Sequence, residues 1–169
     1  MVALFLRIPL IYTPAYFLFF SALIVTIRTD IETFLISRFV SLFIIPLGIS
    51  LSYFNALQIS VFDSIIGAIV GYLFPYIFSK IFQWITDREG MGTGDFELLA
   101  FIGSFTGLAG SWMSLVMGSL IGSLYGISQF IMGRADRATK IPFGPFLALG
   151  AIIFVLYRDY ILKTLLKVL

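Results

Sequence analysis

The chain has 169 residues, of which 60% are hydrophobic and only 12% charged, with a mean hydropathy of +1.05 and a net charge of +2. That balance excludes an ordinary soluble domain, and the small cationic excess is what residues flanking membrane spans supply, so it points to no nucleic-acid partner. Cysteine and histidine are both absent, which removes disulfides, thiol nucleophiles, the usual zinc sites and every triad built on imidazole. Any chemistry falls to the carboxylates.

Apolar stretches of about 18 to 20 residues match the hydrocarbon thickness of a bilayer when helical, and the chain divides into such stretches from its start. Residues 8–27 form a first uncharged span that ends at the polar cluster Arg28, Thr29, Asp30, Ile31 and Glu32. This run is too long for the apolar region of a signal peptide and has no A-x-A-like cleavage site, so it is expected to be retained. A second span covers 39–57 and ends in the polar turn Asn55 to Ser60. Asp63 is then placed to cap a third helix over 63–82, where Lys80 can extend to the interface. The longest polar stretch follows, Thr86 to Asp95, and its three glycines Gly90, Gly92 and Gly94 make it a loop. Leu98 to Gly133 carries no charge over 36 residues, too many for one ordinary span, and is divided near Gly107 to Ser111 into spans over 96–110 and 112–132. A basic loop, Arg134 to Lys140, leads to a last span over 141–157.

The expected architecture is therefore an all-α, polytopic membrane protein of about six transmembrane helices, forming one membrane-embedded unit over 1–169. The loops after the odd-numbered spans hold Arg28, Arg38, Arg88, Arg134, Arg137 and Lys140, with Lys80 nearby. The opposite face has Arg7, Arg158, Lys163 and Lys167, so the cationic bias puts the odd-numbered loops in the cytoplasm. Small residues at four-residue spacing, such as Gly67 and Gly71, Gly103 and Gly107, and Gly118, Gly122 and Gly126, permit close helix contact and are given no chemical role.

Asp30 closes the first span and Asp95 opens the fourth. Two spans lie between them, an even number of crossings, so both carboxylates emerge on one face. Two carboxyl groups within hydrogen-bonding reach cannot both ionise easily; one keeps its proton while the other remains a base, an arrangement able to activate water against a peptide carbonyl. Spacing alone leaves a plainer account open, with Asp95 as a helix cap and Asp30 as a boundary charge beside Arg28. Asp63 reads as a cap, and Glu32, Asp87, Glu97, Asp136 and Asp159 read as solvated loop or helix-end charges.

The segment Glu89-Gly90-Met91-Gly92-Thr93-Gly94-Asp95-Phe96-Glu97-Leu98-Leu99-Ala100 resembles the G-x-G-D signature of type IV prepilin peptidases, with flanks that extend the match beyond four residues. Thr29 to Ile36 resembles the first aspartate motif of that family, and Ile141-Pro142-Phe143-Gly144-Pro145-Phe146-Leu147-Ala148-Leu149-Gly150 is similar to its last-helix signature. The resemblance implies an aspartic endopeptidase that removes the short basic leader of type IV pilin or pseudopilin precursors. It implies cleavage after a glycine, at the cytoplasmic face of the inner membrane. Asp30 and Asp95 match the two catalytic aspartates, and Gly92 and Gly94 the glycines of the loop, where missing side chains let substrate backbone approach. The expected partners are the precursor protein and the lipid bilayer, with no metal or other cofactor.

Three departures from the family pattern stand out. Ser37 and Arg38 replace a usual proline and aspartate, Glu97 stands where a lysine is common, and the chain has no cysteine-bearing insertion of the kind linked to N-methylation. The resemblance is accordingly to the peptidase portion, and methyltransferase activity is not expected. Because the leader is basic, Glu32, Asp87, Glu89 and Glu97 are candidates for a negative rim that draws it in. Two other classes fit the composition, a catalytically degenerate scaffold of the same family and a small ion- or proton-coupled transporter. No internal repeat favours the latter, and Leu98 to Gly133 offers no ionisable residue to carry a pathway across.

Overall fold

The computed structural model describes residues 9–33, 38–87, 90–133 and 142–168. Arg7, Ser37, Arg88, Glu89, Arg134, Asp136, Arg137 and Lys140 lie outside the described residues. After a 3-10 turn at Leu10–Tyr12 come five helices, α1 Thr13–Thr33, α2 Arg38–Tyr53, α3 Val61–Thr86, α4 Thr93–Ile131 and α5 Gly144–Val168; among the described residues there is no strand. Four stretches are long and apolar enough to cross a membrane, Leu10–Glu32, Val61–Thr86, Thr93–Ile131 and Gly144–Lys163, and Phe43–Tyr53 is a shorter apolar helix. This is an all-α membrane protein.

The 39 residues of α4 do not form one rod. Gly107 has φ 75° and ψ −174°, outside the helical region and in a conformation open to glycine because it lacks a Cβ. Beyond it the chain turns back: Ser111 Oγ reaches the carbonyl oxygen of Leu99 at 3.5 Å, whereas twelve residues of straight helix would separate them by about 18 Å. We term the arms α4a, before Gly107, and α4b, after it. The break falls inside the stretch where the uncharged run is too long for one span. Asp63 holds the turn. It does not cap its own helix as the sequence suggested, because Ser60 occupies the N-cap and its Oγ accepts from the Asp63 N–H at 3.1 Å. The Asp63 carboxylate crosses instead to α4, where Oδ1 accepts from the Leu108 N–H at 3.2 Å, an amide that the broken helix would otherwise leave without a partner.

Arm α4a is the central post of the bundle. Every residue from Asp95 to Gly107 is buried, as expected for a segment apolar on all sides apart from its first turn. On one side Phe19 of α1 stacks on Phe105 at 5.2 Å between ring centroids and tilts against Phe101 at 5.3 Å. Gly48 of α2 approaches Ser104 and Phe105 so closely that a Cβ there would lie 2.6 Å from Ser104 Oγ. On the α3 side the two backbones touch. A Cβ on Gly67 would lie 2.5 Å from the Gly103 carbonyl oxygen, and one on Gly103 would run into the Gly67 carbonyl. One turn away, a Cβ on Gly71 would meet Leu99 O at 2.6 Å, and Ser64 Oγ donates to Ser104 O at 2.6 Å. The small-residue spacing in the sequence thus fixes an antiparallel register of α3 on α4a, with Asp63 opposite Gly107, Gly67 opposite Gly103 and Gly71 opposite Leu99.

Arm α4b returns alongside α3 and packs on α5, where Ser114 Oγ donates to Leu147 O at 2.6 Å and Gly118 lies against Leu147. At the far end, Arg158 of α5 donates from Nη2 to Gln58 O at 2.6 Å and from Nη1 to Gln58 Oε1 at 3.0 Å, tying α5 to the turn between α2 and α3. Six helical passes, counting both arms of α4, result among the described residues. Their order brings the end of α1, the end of α3 and the starts of α4 and α5 to one end of the bundle.

The Gly67–Gly103 contact leaves no space that side-chain motion can supply. Gly103→Ala is expected to lower the unfolding free energy in detergent by about 3 kcal/mol, because backbone would have to move. Gly122→Ala, whose Cβ would meet the movable rings of Phe146 at 3.2 Å and Phe143 at 3.4 Å and no backbone among its nearest contacts, should cost less than about 1 kcal/mol. Thermal or denaturant unfolding of the two variants side by side checks this.

Candidate active site

Helix α1 runs past the apolar span and through the polar cluster, so Asp30 is in its last turn rather than in a loop. Arg28 and Glu32 support that turn with an i,i+4 ion pair at 2.9 Å, and Thr29 Oγ1 donates to the carbonyls of Val25 and Thr26 at 3.0 Å. Arg28 and Glu32 are exposed and Thr29 is half-buried, whereas Asp30 is buried at 5% exposure. A carboxylate in the last turn of a helix faces the negative end of that helix's own dipole. Compensation comes from across the bundle: Asp30 Oδ2 accepts the backbone N–H of Gly144, the first residue of α5, at 3.0 Å.

Asp95 stands at the third position of α4. Gly92 is the N-cap, with φ −68° and ψ 148° and no side chain to cap with, and the Asp95 N–H bonds the Gly92 carbonyl at 3.2 Å. The Asp95 carboxylate in turn takes a backbone hydrogen bond at Gly92, the acidic half of a capping box. The capping account of Asp95 is thus partly realised, at the third helical position and not at the cap. It does not exhaust the residue. Asp95 is 9% exposed, and the charge of Asp30, carried by a separate helix, bears on it electrostatically. Gly94 occupies the second position of α4, between the cap and the acid.

The four proposed rim acids separate. Glu32 is exposed and paired with Arg28. Asp87 is exposed and ends α3 in the left-handed conformation, φ 53° and ψ 23°. Glu89 lies outside the described residues. Glu97 is buried at 3% exposure, because it falls near the start of the arm that the neighbouring helices cover. Among the described residues no group of three or more acids is arranged to hold a metal ion. Beside the loop, a groove of about 600 Å³ runs between α3 and α4b, lined by Phe74, Phe78 and Phe82 on one side, Leu115 on the other and Gly90 and Met91 at its end; neither aspartate lines it.

A family model described as the type IV leader peptidase family matches residues 17–127, which include Asp30, the glycine loop and Asp95. The chain belongs to the type IV leader peptidase family. Among similar proteins, the prepilin leader peptidase/N-methyltransferase of Pseudomonas aeruginosa is 33% identical over 121 residues, 72% of this chain and 41% of that protein. The protein of the same name from Xanthomonas campestris is 47% identical over 79 residues, 46% of this chain and 27% of that protein. The one from Escherichia coli K12 is 35% identical over 156 residues, 89% of this chain and 66% of that protein. The chain thus spans less than half the length of the first two. No solved structure gives a significant match.

Sequence reasoning reached the two aspartates and the loop glycines but gave Gly144 no part of its own. The signal was the Phe143-Gly144-Pro145 run inside the third family-like segment, and nothing in its spacing says that it meets Asp30, 114 residues away. At Gly92 the packing is tight but not closed, since a Cβ would lie 3.3 Å from Asp95 Oδ2. Gly92→Ala should therefore push the Asp95 carboxylate aside by a few tenths of an ångström. Thermal unfolding of this variant in detergent should match that of the parent within about 1 kcal/mol, since the adjustment is confined to a side chain.

Proposed function

We propose that this chain is an aspartic endopeptidase that removes the basic leader from type IV pilin or pseudopilin precursors at the cytoplasmic face of the inner membrane, cutting after a glycine. What supports this reading most is the placement of two buried acids from different helices, with the charge of Asp30 bearing on Asp95, at the polar end of an apolar bundle in a member of this family. The names of the relatives support a prepilin as substrate. The excess of cations in the loops on the dyad's face supports the cytoplasmic orientation.

The chemistry follows from what a carboxyl pair can do with one proton. The ionised carboxylate takes a proton from a water lying between the pair, and that water's oxygen attacks the scissile carbonyl carbon. The protonated partner gives its proton to the carbonyl oxygen, so the tetrahedral intermediate forms as a neutral diol. Its collapse breaks the C–N bond as the amine nitrogen takes the proton held by one carboxyl and a diol hydroxyl gives its proton to the other, leaving a carboxyl end on the leader and restoring the starting protonation. Gly92 at the cap leaves bare backbone beside Asp95, where an extended substrate strand can approach, while Gly94 lies in the first turn of α4 and not in the loop that the sequence suggested.

Because both protons of the cycle pass through the pair, neither acid can substitute for the other. Asp30→Asn and Asp95→Asn should each lower cleavage of a pilin precursor by roughly 10²- to 10⁴-fold, with the chains still folded. Full activity in either variant would rule out the dyad. Of the rim acids, Glu32, Asp87 and Glu89 remain as the negative edge that draws in the basic leader, and Glu97 is withdrawn because it is buried. Raising the ionic strength from about 0.05 M to about 0.5 M is expected to lower kcat/KM several-fold, and less so in Asp87→Asn. A rate insensitive to both changes removes the rim from the account.

A further inference from the structure

The start of α5 is built to offer one amide. Gly144 is its first residue, and Pro145 at the second position has no N–H to give. The next two amides are both used within the turn, since the N–H groups of Phe146 and Leu147 bond Phe143 O at 3.0 and 3.2 Å. The Gly144 N–H is thus the donor of this first turn that points out of the helix. It ends on Asp30 Oδ2 at 3.0 Å, in a buried setting where water cannot replace it. Gly144 is itself buried.

We infer that the Gly144 N–H is a positioning donor for the catalytic reaction, fixing one oxygen of Asp30 so that the other is turned to the water and to Asp95. This rests on the reading of Asp30 as a member of the dyad. Side chains in the last turn of a helix are free to rotate, and nothing within α1 holds the Asp30 carboxylate in one orientation: its neighbours Arg28, Thr29 and Glu32 bond to one another or to α1 backbone. The interhelical bond supplies that orientation. It also brings the positive end of the α5 dipole to a carboxylate that faces the negative end of α1. Both acids of the pair then share one design, each accepting a single backbone amide from the beginning of a helix, Asp95 from Gly92 and Asp30 from Gly144. Since Gly144 touches Asp30 and not the substrate, removing its N–H should slow the chemical step and leave substrate binding alone.

The test replaces the amide at Gly144 by an ester, through incorporation of glycolic acid during cell-free translation, which removes the donor and keeps the shape. Gly144→Ala is the companion variant, in which the N–H is retained. A hydrogen bond to a charged group of this kind corresponds to roughly a 10- to 100-fold loss in kcat on a pilin precursor, with KM unchanged in the ester protein; its thermal unfolding falls somewhat, because the buried carboxylate loses a partner and the Phe143 ester carbonyl accepts more weakly. Unaltered kcat in the ester protein overturns the inference, and so does a parallel fall in kcat, binding and stability, which would mark a structural role only.

A second readout needs no turnover. In protein carrying ¹³C-carboxyl aspartate, the infrared carboxylate band of Asp30, assigned by its loss in Asp30→Asn, should shift in the ester protein and stay in place in Gly144→Ala. An unmoved band in the ester protein also overturns the inference. If the parent protein cleaves no precursor, the peptidase reading fails, while the infrared band still decides whether the amide holds Asp30.

Discussion

Backbone contact between α3 and α4a at Gly67 and Gly103 is the constraint from which the rest of the arrangement follows. Inside lipid there is no hydrophobic gain from bringing two apolar helices together, so close approach and directional bonds must hold them. With side chains excluded at this crossing, the arm α4a sits deep enough for α1, α2 and α3 to pack around it, and Ser64 can reach the Ser104 carbonyl. The arm is only about 14 residues long, roughly 21 Å, so it falls short of a full bilayer crossing by itself. Gly107 ends it, and Asp63 supplies the bond that the broken helix lacks. The site end of the arm is thereby fixed relative to the other helices, with Asp95 in its first turn.

Burying two acids at the polar end of such a bundle is costly unless each charge has a partner, and here the partners are backbone amides at helix starts. The glycine at each donor position serves a different end. Gly92 leaves room beside the Asp95 carboxylate and caps α4 without a side chain, whereas Gly144 contributes its N–H across the bundle to α1. Helix α5 is tied near its start by Ser114 on Leu147 and, just past its break at Tyr157, by Arg158 on Gln58, so the amide that meets Asp30 is carried by a segment held at two points.

The architecture was legible because lipid imposes strong length and hydropathy rules: the apolar runs marked the helices, and an uncharged run too long for one span foretold the reversal that occurs at Gly107. Helix ends were less legible. The apolar run ends at Ile27 with Asp30 closing the span, and Thr29 and the Arg28–Glu32 pair satisfy the last turn and carry the helix on to Thr33. The role of Asp63 was misread for a related reason. Local spacing showed an acid near a helix start, and its actual partner, Leu108, is 45 residues away. Glu97 looked like a solvated neighbour of Asp95, yet a step of two residues along a helix turns the side chain to another face, and on α4a every face is covered. Parity put the two aspartates on one face, but whether they meet depends on contacts between segments, such as the Gly144 amide on Asp30.

That nearness is the central claim, and the chain offers a clean way to measure it because it contains no cysteine. In a chain carrying both Asp30→Cys and Asp95→Cys, held in membranes, a short bifunctional thiol reagent should join the two positions within one molecule. A comparison chain carrying Asp30→Cys and Asp63→Cys should give no such product, since Asp63 is held at the Gly107 turn of α4a, away from the arm's first turn. An intramolecular product specific to the first pair, read by mass spectrometry of the linked peptides, is the result the account predicts. Failure to link Asp30→Cys to Asp95→Cys while both thiols react singly would contradict it.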